Sequence, residues 1–394
     1  MKRKIIIYFK NIFFTIIILF PIFLLIGYLF MNKETQYNRN LSVSDINNEG
    51  PFIFFENDSL IKINYIKGNE KDGFYLDSIK KNISQKTNLN CFYNLDSTNF
   101  SFDLEINNLN LKNNISYSDK KEVFAISDIE GNFKTLRDFL IINKIINKDL
   151  KWTFNDNHLV FLGDFIDRGY YSNQVLWFIY KLEIEARKYG GHVHYILGNH
   201  EILNLQGNYE YANKKQNKIS NVLEKQQYEL YNMNSFMGRW LRSKNTILKI
   251  NNNIFTHGGI NSDLSKISLE EMNIVSKKNY SNSYFKKKNR NIINDLILST
   301  NTSHYWYRGY FEKDLSQNEI NAILKNLGAE HIIVGHTIQK EVSSFFNNKI
   351  IAIDVLHKND AYETFPSRKT EGLYINKNNA FYRVLENGKK TKLF

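Results

Sequence analysis

The chain has 394 residues, 42% hydrophobic and 14% aromatic, so it can bury a full core in one large domain or two smaller ones, and a disordered chain is excluded. Its formal net charge of +12 comes from lysines dispersed among asparagines and isoleucines. The two short basic clusters, Lys286, Lys287, Lys288 and Arg290, then Lys389, Lys390 and Lys392, read as solvated surface, with no specific nucleic-acid partner. One cysteine, Cys91, excludes both an internal disulfide framework and a cysteine-rich metal site.

In chain order, residues 1–31 read as a membrane anchor. Lys2, Arg3, Lys4 and Lys10 precede an uncharged apolar run, 12–31, and about 20 residues of that kind span a hydrocarbon core as a helix. No small-residue cleavage site comes after it, so the segment is expected to stay uncleaved. The basic residues before the run outnumber Lys33 and Arg39 after it, which places the N-terminus in the cytoplasm and the remaining chain outside it. Residues 32–49 are polar, Asn-rich and aperiodic, and read as a linker. Residues 50–118 contain short alternating runs at 52–55, 60–65 and 100–106, a small β-rich segment packed on the larger domain at 119–394.

From 119 to 394 the rhythm is strand then helix. Strands are expected at 123–127, 159–162 and 193–197, with helices after the first two; Gly190 and Gly191 stop the second helix, at 172–188. Later strands are expected at 247–256 around an Asn turn, at 332–335 and 350–355, and as a hairpin at 373–385. Polar excursions at 209–244 and 264–302 interrupt the pattern of an α/β sheet protein.

The strand ends carry the chemistry. They read Ser127-Asp128-Ile129-Glu130-Gly131, Gly163-Asp164-Phe165-Ile166-Asp167-Arg168-Gly169, Gly198-Asn199-His200-Glu201, Thr256-His257-Gly258-Gly259 and Gly335-His336-Thr337. Open α/β sheets bind ligands at the carboxyl ends of their strands. A lone strand-end Asp is usually a turn former and a lone His usually structural, but such pieces in sequence at successive strand ends make a metal site. Phosphate esters resist attack because the anion repels nucleophiles and the alkoxide leaves poorly. Two cations roughly 3.5–4 Å apart neutralise that charge and acidify a bridging water. Oxygen and imidazole ligands suit manganese, iron or zinc.

These segments resemble the calcineurin-like metallophosphoesterases, specifically the phosphoprotein phosphatase branch, whose pattern is GDxHG, GDxxDRG, GNHE, a later HGG and a final histidine. The run Tyr305-Trp306-Tyr307-Arg308-Gly309 is similar to an Arg-Gly phosphate clamp in the setting of the bacterial Shewanella-like phosphatases. The resemblance implies an α/β fold, a β-sandwich flanked by helices, here behind an N-terminal transmembrane helix. It also implies two divalent metal ions, manganese first. By that likeness Asp128 binds the first metal, Asp164 bridges both, and Asn199, His257 and His336 bind the second. His200 is the general acid, oriented by Asp167, and Arg168 and Arg308 hold the phosphoryl oxygens. Glu201 is expected to be structural.

The first motif departs from the pattern: Ser127 replaces its leading glycine and Glu130 its histidine. Glutamate is a competent oxygen ligand, so Glu130 is counted with the first metal. The expected activity is metal-dependent hydrolysis of phosphate monoesters, on phosphoproteins or small phosphate esters. A hydrolase of dinucleoside polyphosphates or other nucleotides and a degenerate, membrane-tethered phosphate-binding protein stand as alternatives. His158, His192 and His194 are expected to be structural, His304 stands near the proposed clamp, and Asp354 is expected to be structural.

Overall fold

A computed structural model describes residues 2–31, 34–95, 98–106, 113–284, 290–312 and 315–394; Lys286, Lys287 and Lys288 lie outside the described residues. The short central strands are apolar throughout because both their faces are covered. Val123, Ala125, Val160, Leu162 and Ile196 point one way and meet Leu248, Ile250, Phe255, Ile333 and Ile351 of a second sheet. Their neighbours Phe124, Ile126, Leu159 and Phe161 point the other way, onto the helices Phe133–Ile142 and Ser172–Lys188. On the far side Ile254, Ile332, Val334 and Ile350 pack against Ile320, Ile323 and Leu324 of the helix Gln317–Leu327. Period-two alternation thus builds a helix–sheet–sheet–helix sandwich.

Each sheet has six strands among the described residues. In the first, His192–Ile196, His158–Leu162 and Val123–Ile126 run parallel, followed by the antiparallel Glu371–Ile375, Phe381–Leu385 and Lys390–Lys392. In the second, Asn253–Thr256, His331–Val334 and Ile350–Ala352 run parallel, with antiparallel or short strands outside them. The helix Ser172–Lys188 ends just before the paired glycines, and Gln317–Leu327 carries a Ser316/Glu319 capping box and a left-handed Gly328.

The N-terminal β segment holds three strands, Glu49–Phe55, Leu60–Asn69 and Gly73–Asn82, and a hairpin of Thr87–Leu95 with Thr98–Ile106. Two of these strands are absent from the sequence reading. Gly73–Asn82 is an edge strand whose residues are mostly exposed, so it has no apolar alternation to detect. Thr87–Leu95 buries Leu89, Cys91 and Tyr93, an alternation broken by Phe92 on the opposite face. The segment shares one core with the helix Ser172–Lys188: Phe102 packs on Phe178 at 5.6 Å, and Trp177 donates its indole N–H to the Pro51 carbonyl at 2.8 Å. A buried Lys215–Glu49 ion pair at 2.5 Å closes the contact.

The expected linker is shorter than its polar composition suggests. Thr35–Tyr37 pairs with Glu363–Phe365, Arg368 grips the Glu34 carboxylate with two hydrogen bonds of 2.6 and 2.7 Å, and Val43 and Ile46 are buried. Two apolar side chains and a three-residue strand are too little to leave a periodic signal, yet enough to dock the segment. Before it, Lys2–Met31 is one helix, and its stretch Ile6–Leu24 is exposed and, by length and composition, apolar enough to cross a membrane.

The expected structural histidines form a stack on Tyr117. His158 Nδ1 lies 2.8 Å from His194 Nε2, His158 Nε2 lies 3.0 Å from Asp119, and His192 packs face to face with His158. Burial holds His158 down at about 4 and His194 well below the usual imidazole range. An unfolded chain therefore binds more protons here below pH 6.5, so this neutral stack contributes stability that is full above pH 6.5 and lost toward pH 4. Urea unfolding from pH 7 to 4.5 is expected to show a steep acid loss, of order 1–3 kcal/mol per buried imidazole, and a shallower one in His194→Gln. An equal slope in both proteins would assign the acid loss to other groups.

Candidate metal centre

Two loops at neighbouring strand ends are stitched together by their backbones. The Asp128 N–H donates to the Gly163 carbonyl at 3.0 Å, Glu130 N–H to Asp164 O at 2.9 Å, and Gly169 N–H to Glu130 O at 2.9 Å. These bonds hold Asp128, Glu130, Asp164, Asp167 and Arg168 in the left-handed region, with φ between 48° and 68°; His336 joins them at 64°. Such conformations cost about 1–3 kcal/mol apiece and persist where the surroundings over-determine them. Close approach also dictates two glycines. A Cβ on Gly198 would fall 2.2 Å from Asp164 Oδ1, and one on Gly335 would fall 2.1 Å from Ser127 Oγ and 2.6 Å from Asp128 Oδ2.

The sandwich then brings ligands from both sheets to one point. His257 Nε2 lies 3.0 Å from Asp164 Oδ2, 3.1 Å from Asn199 Oδ1 and 4.0 Å from Asp128 Oδ1. Asp164, His257 and His336 present ligand atoms within 4.8 Å of one another, and the His336 backbone N–H donates to Asp128 Oδ2 at 3.2 Å. His257 Nδ1 sits 2.7 Å from the Leu162 carbonyl, which fixes a proton there, so Nε2 is the nitrogen that would face a cation. His336 Nε2 is buried without a hydrogen-bond partner.

Charge completes the fit to divalent cations. Burial, reinforced by the Asp164 charge, raises the Asp128 carboxyl to about 6. Burial raises Asp354 well above the carboxylate range, with Asp128 and Asp164 adding to it. Burial would also raise Asp164, but the imidazoles of His200 and His257 outweigh it and hold that carboxyl low. For His257 burial opposes the charged form, and Asp164 and Asp128 overcome it, raising the group to about 10. An orphaned imidazole nitrogen beside crowded carboxylates and an amide oxygen is a donor set that fits divalent metal ions.

His200 Nδ1 lies 3.0 Å from Asp167 Oδ2, and its Nε2 reaches to 3.6 Å from Asp164 Oδ2. Burial disfavours the imidazolium, but the Asp164 and Asp167 carboxylates prevail and raise His200 above its usual value. Asn204, which the sequence reading missed, donates to both Asp167 oxygens at 3.0 and 2.9 Å. It sits four residues after His200, hence on the same face of the helix Asn199–Leu205, and that spacing was its only signal. Glu201 is structural: it accepts from the backbone N–H groups of Asp164, Phe165 and Gly198 and from the Tyr195 hydroxyl.

Arg308 donates to the His336 carbonyl and to Thr337 Oγ1, so it stands at the rim of the ligand cluster. Arg168 forms an ion pair with Glu130, the carboxylate that the sequence counts with the first metal. His304 is fully buried; its ring meets Thr246 Oγ1 at 2.6 Å and its carbonyl accepts from Gly258 and Gly259. It shapes the turn that carries His257. Asp354, read from sequence as structural, is buried where it feels the charges of Asp128, Asp164, His257 and Arg308.

The family model described as Calcineurin-like phosphoesterase matches residues 121–340. Shewanella-like protein phosphatase 1 of Plasmodium berghei is 31% identical over 258 residues, 62% of this chain and 69% of that protein. Shewanella-like protein phosphatase 2 of Arabidopsis thaliana is 25% identical over 314 residues, 67% of this chain and 79% of its own. The crystal structure of a cold-active protein-tyrosine phosphatase of a psychrophilic Shewanella superposes with a TM-score of 0.75 and 30% identity, covering 89% of this chain and 100% of that one. That coverage takes in most of the chain outside the residues matched by the family model.

Asn204→Ala is expected to lower kcat on phosphate esters by about 10- to 100-fold, with KM and bound metal little changed, because it frees Asp167 without removing a ligand. Metal analysis beside the kinetics checks this; loss of metal would place Asn204 in the ligand scaffold instead.

Proposed function

The chain belongs to the calcineurin-like phosphoesterase family and is a phosphoesterase hydrolase, and on that premise we propose that it cleaves phosphate monoesters at a dinuclear centre. Asp128, Asp164, Asn199, His257 and His336 would hold the two divalent ions, with manganese the first to test and iron or zinc beside it. When bound, the ions supply charge neutralisation and an acidified water as the attacking group. The remaining work falls to the protein. Arg168 and Arg308 orient the phosphoryl oxygens by charge-assisted hydrogen bonds. As the water oxygen bonds to phosphorus and the ester P–O bond breaks, His200 delivers its Nε2 proton to the leaving oxygen, while Asp167 steadies the imidazolium through Nδ1.

The observation that carries this reading is the placement of His200, paired with Asp167, which Asn204 holds in turn, beside Asp164 of the ligand group. The similar proteins are named protein phosphatases and, for the superposed structure, a protein-tyrosine phosphatase. A phosphorylated protein side chain is therefore the first substrate class to test. Anchoring by the N-terminal helix, with the catalytic part outside the cytoplasm, would instead favour small phosphate esters or phosphorylated cell-envelope components. A reporter fused after Phe394 decides that topology: activity of a reporter that works only in the cytoplasm would reverse it.

The full chain in detergent, stripped by chelator, is expected to recover aryl phosphate hydrolysis on addition of manganese, iron or zinc. Asp164→Asn should lose both metal and turnover. His200→Ala should keep its metal and lose about 10²- to 10⁴-fold in kcat on an alkyl phosphate, and distinctly less on an aryl phosphate whose leaving group needs no proton. Equal losses on both esters would remove His200 from the acid role, and turnover indifferent to metal would sink the dinuclear reading.

A further inference from the structure

The Glu130 side chain has no place in a purely electrostatic design for binding phosphate. Its carboxylate pairs with Arg168, and the two side chains are 23% and 50% exposed, so the pair stands at the mouth of the site and not in the core. The backbones beneath it are held by hydrogen bonds and close approach. Glu130 N–H is bonded to Asp164 O, its carbonyl takes the Gly169 N–H, and a Cβ on Gly169 would fall 2.3 Å from that carbonyl. Arg168 is tied by its own N–H to Tyr211 O at 3.0 Å, its carbonyl accepts from Asn213 Nδ2 at 2.8 Å, and its guanidinium lies over the Tyr211 ring. The Tyr211 ring packs in turn on His200 at 4.8 Å, and the Arg168 charge works against protonation of His200. The guanidinium that Glu130 holds is thus electrostatically part of the reaction site.

We propose that Glu130 is an internal anion that competes with the phosphoryl group for Arg168, and so sets how weakly this chain holds phosphate. The inference rests on the phosphoesterase reading and adds a specificity-determining residue to it. With the main chains fixed, the exchange is a rotation of two side chains: a phosphoryl group takes the guanidinium and the carboxylate turns to solvent. The pair holds Arg168 between turnovers, so an incoming phosphate meets the cost of breaking it and a departing one recovers that cost as the pair re-forms. Product phosphate, which gains nothing from a leaving group, feels that cost most, so release is favoured over retention.

Binding of inorganic phosphate to the manganese-loaded full chain, by calorimetry and by inhibition of aryl phosphate hydrolysis, tests the proposal with Glu130→Gln, Arg168→Gln and the double variant. Glu130→Ala runs as a second removal of the charge, and bound metal is counted in each protein. The expected result is about tenfold tighter phosphate binding in both Glu130 variants at unchanged metal content. Arg168→Gln should cost more affinity in the Glu130→Gln background than in the native chain, because there the arginine is free. Phosphate affinity that is unchanged or weaker in the Glu130 variants, or metal lost from them, overturns the proposal and leaves the phosphoesterase reading standing. No phosphate binding and no turnover in any form overturns both.

Discussion

Two buried carboxylates, Asp164 and Asp354, meet the half-buried Asp128 between two sheets, and much of the neighbouring structure answers that accumulation of negative charge. Unpaired, such a group costs several kcal/mol to remove from water. The compensation comes from imidazoles, from backbone N–H groups such as that of His200, which donates to Asp164 Oδ1 at 3.0 Å, and from the cations the donor set fits. Only left-handed backbone at Asp128, Asp164 and His336 aims these groups together, and the cross-stitching of the two strand-end loops sustains it. Catalytic geometry and backbone strain are here one feature seen at two scales.

Around that point the fold supplies rigidity by burying charge in pairs. Glu183 accepts from Lys244 at 2.6 Å and from the Trp240 indole at 2.9 Å, and Lys215 closes on Glu49. The helix Phe133–Ile142, directly after the first motif, has no cap of its own. Asp360 provides it, accepting from the N–H groups of Lys134 and Thr135 at 2.7 and 3.0 Å. The same strap sends His357 Nε2 to the Ser127 carbonyl at 2.8 Å and, through Glu363–Phe365, pairs with the segment that leaves the N-terminal helix. The residues just after the N-terminal helix are therefore linked through this strap to the loop that bears Asp128.

Asn199, His200 and Glu201 illustrate how adjacent residues part company. All three are buried on one short helix, yet one faces the ligand group, one faces Asp167 and one brackets the neighbouring loop. Helical geometry separates successive side chains by about 100°, so a run of polar residues can serve three purposes without conflict. The histidines divide in the same way. His257 and His336 lie at strand ends and meet carboxylates, while His158, His192 and His194 lie within strands and meet one another.

Strand and helix periodicity, helix-stopping glycines and the order of motifs were legible in the chain because each is a local pattern: apolar alternation, paired glycines after a helix, glycine beside aspartate. Thus the central strands, the helix Ser172–Lys188 and the residues that gather at the ligand cluster could be read in order. What stayed hidden was set by contacts distant in sequence. The edge strand Gly73–Asn82 has no apolar stripe, the segment after the N-terminal helix is held by residues more than 320 positions later, and Asn204 has a role only because Asp167 arrives beside it. Glu130 is the sharpest case. Its type made it a fair metal ligand, and only the fold, by setting Arg168 next to it on a separate loop, decided which charge it meets. Sequence carries the chemistry each side chain can perform; the packing of two sheets decides which partners lie within reach.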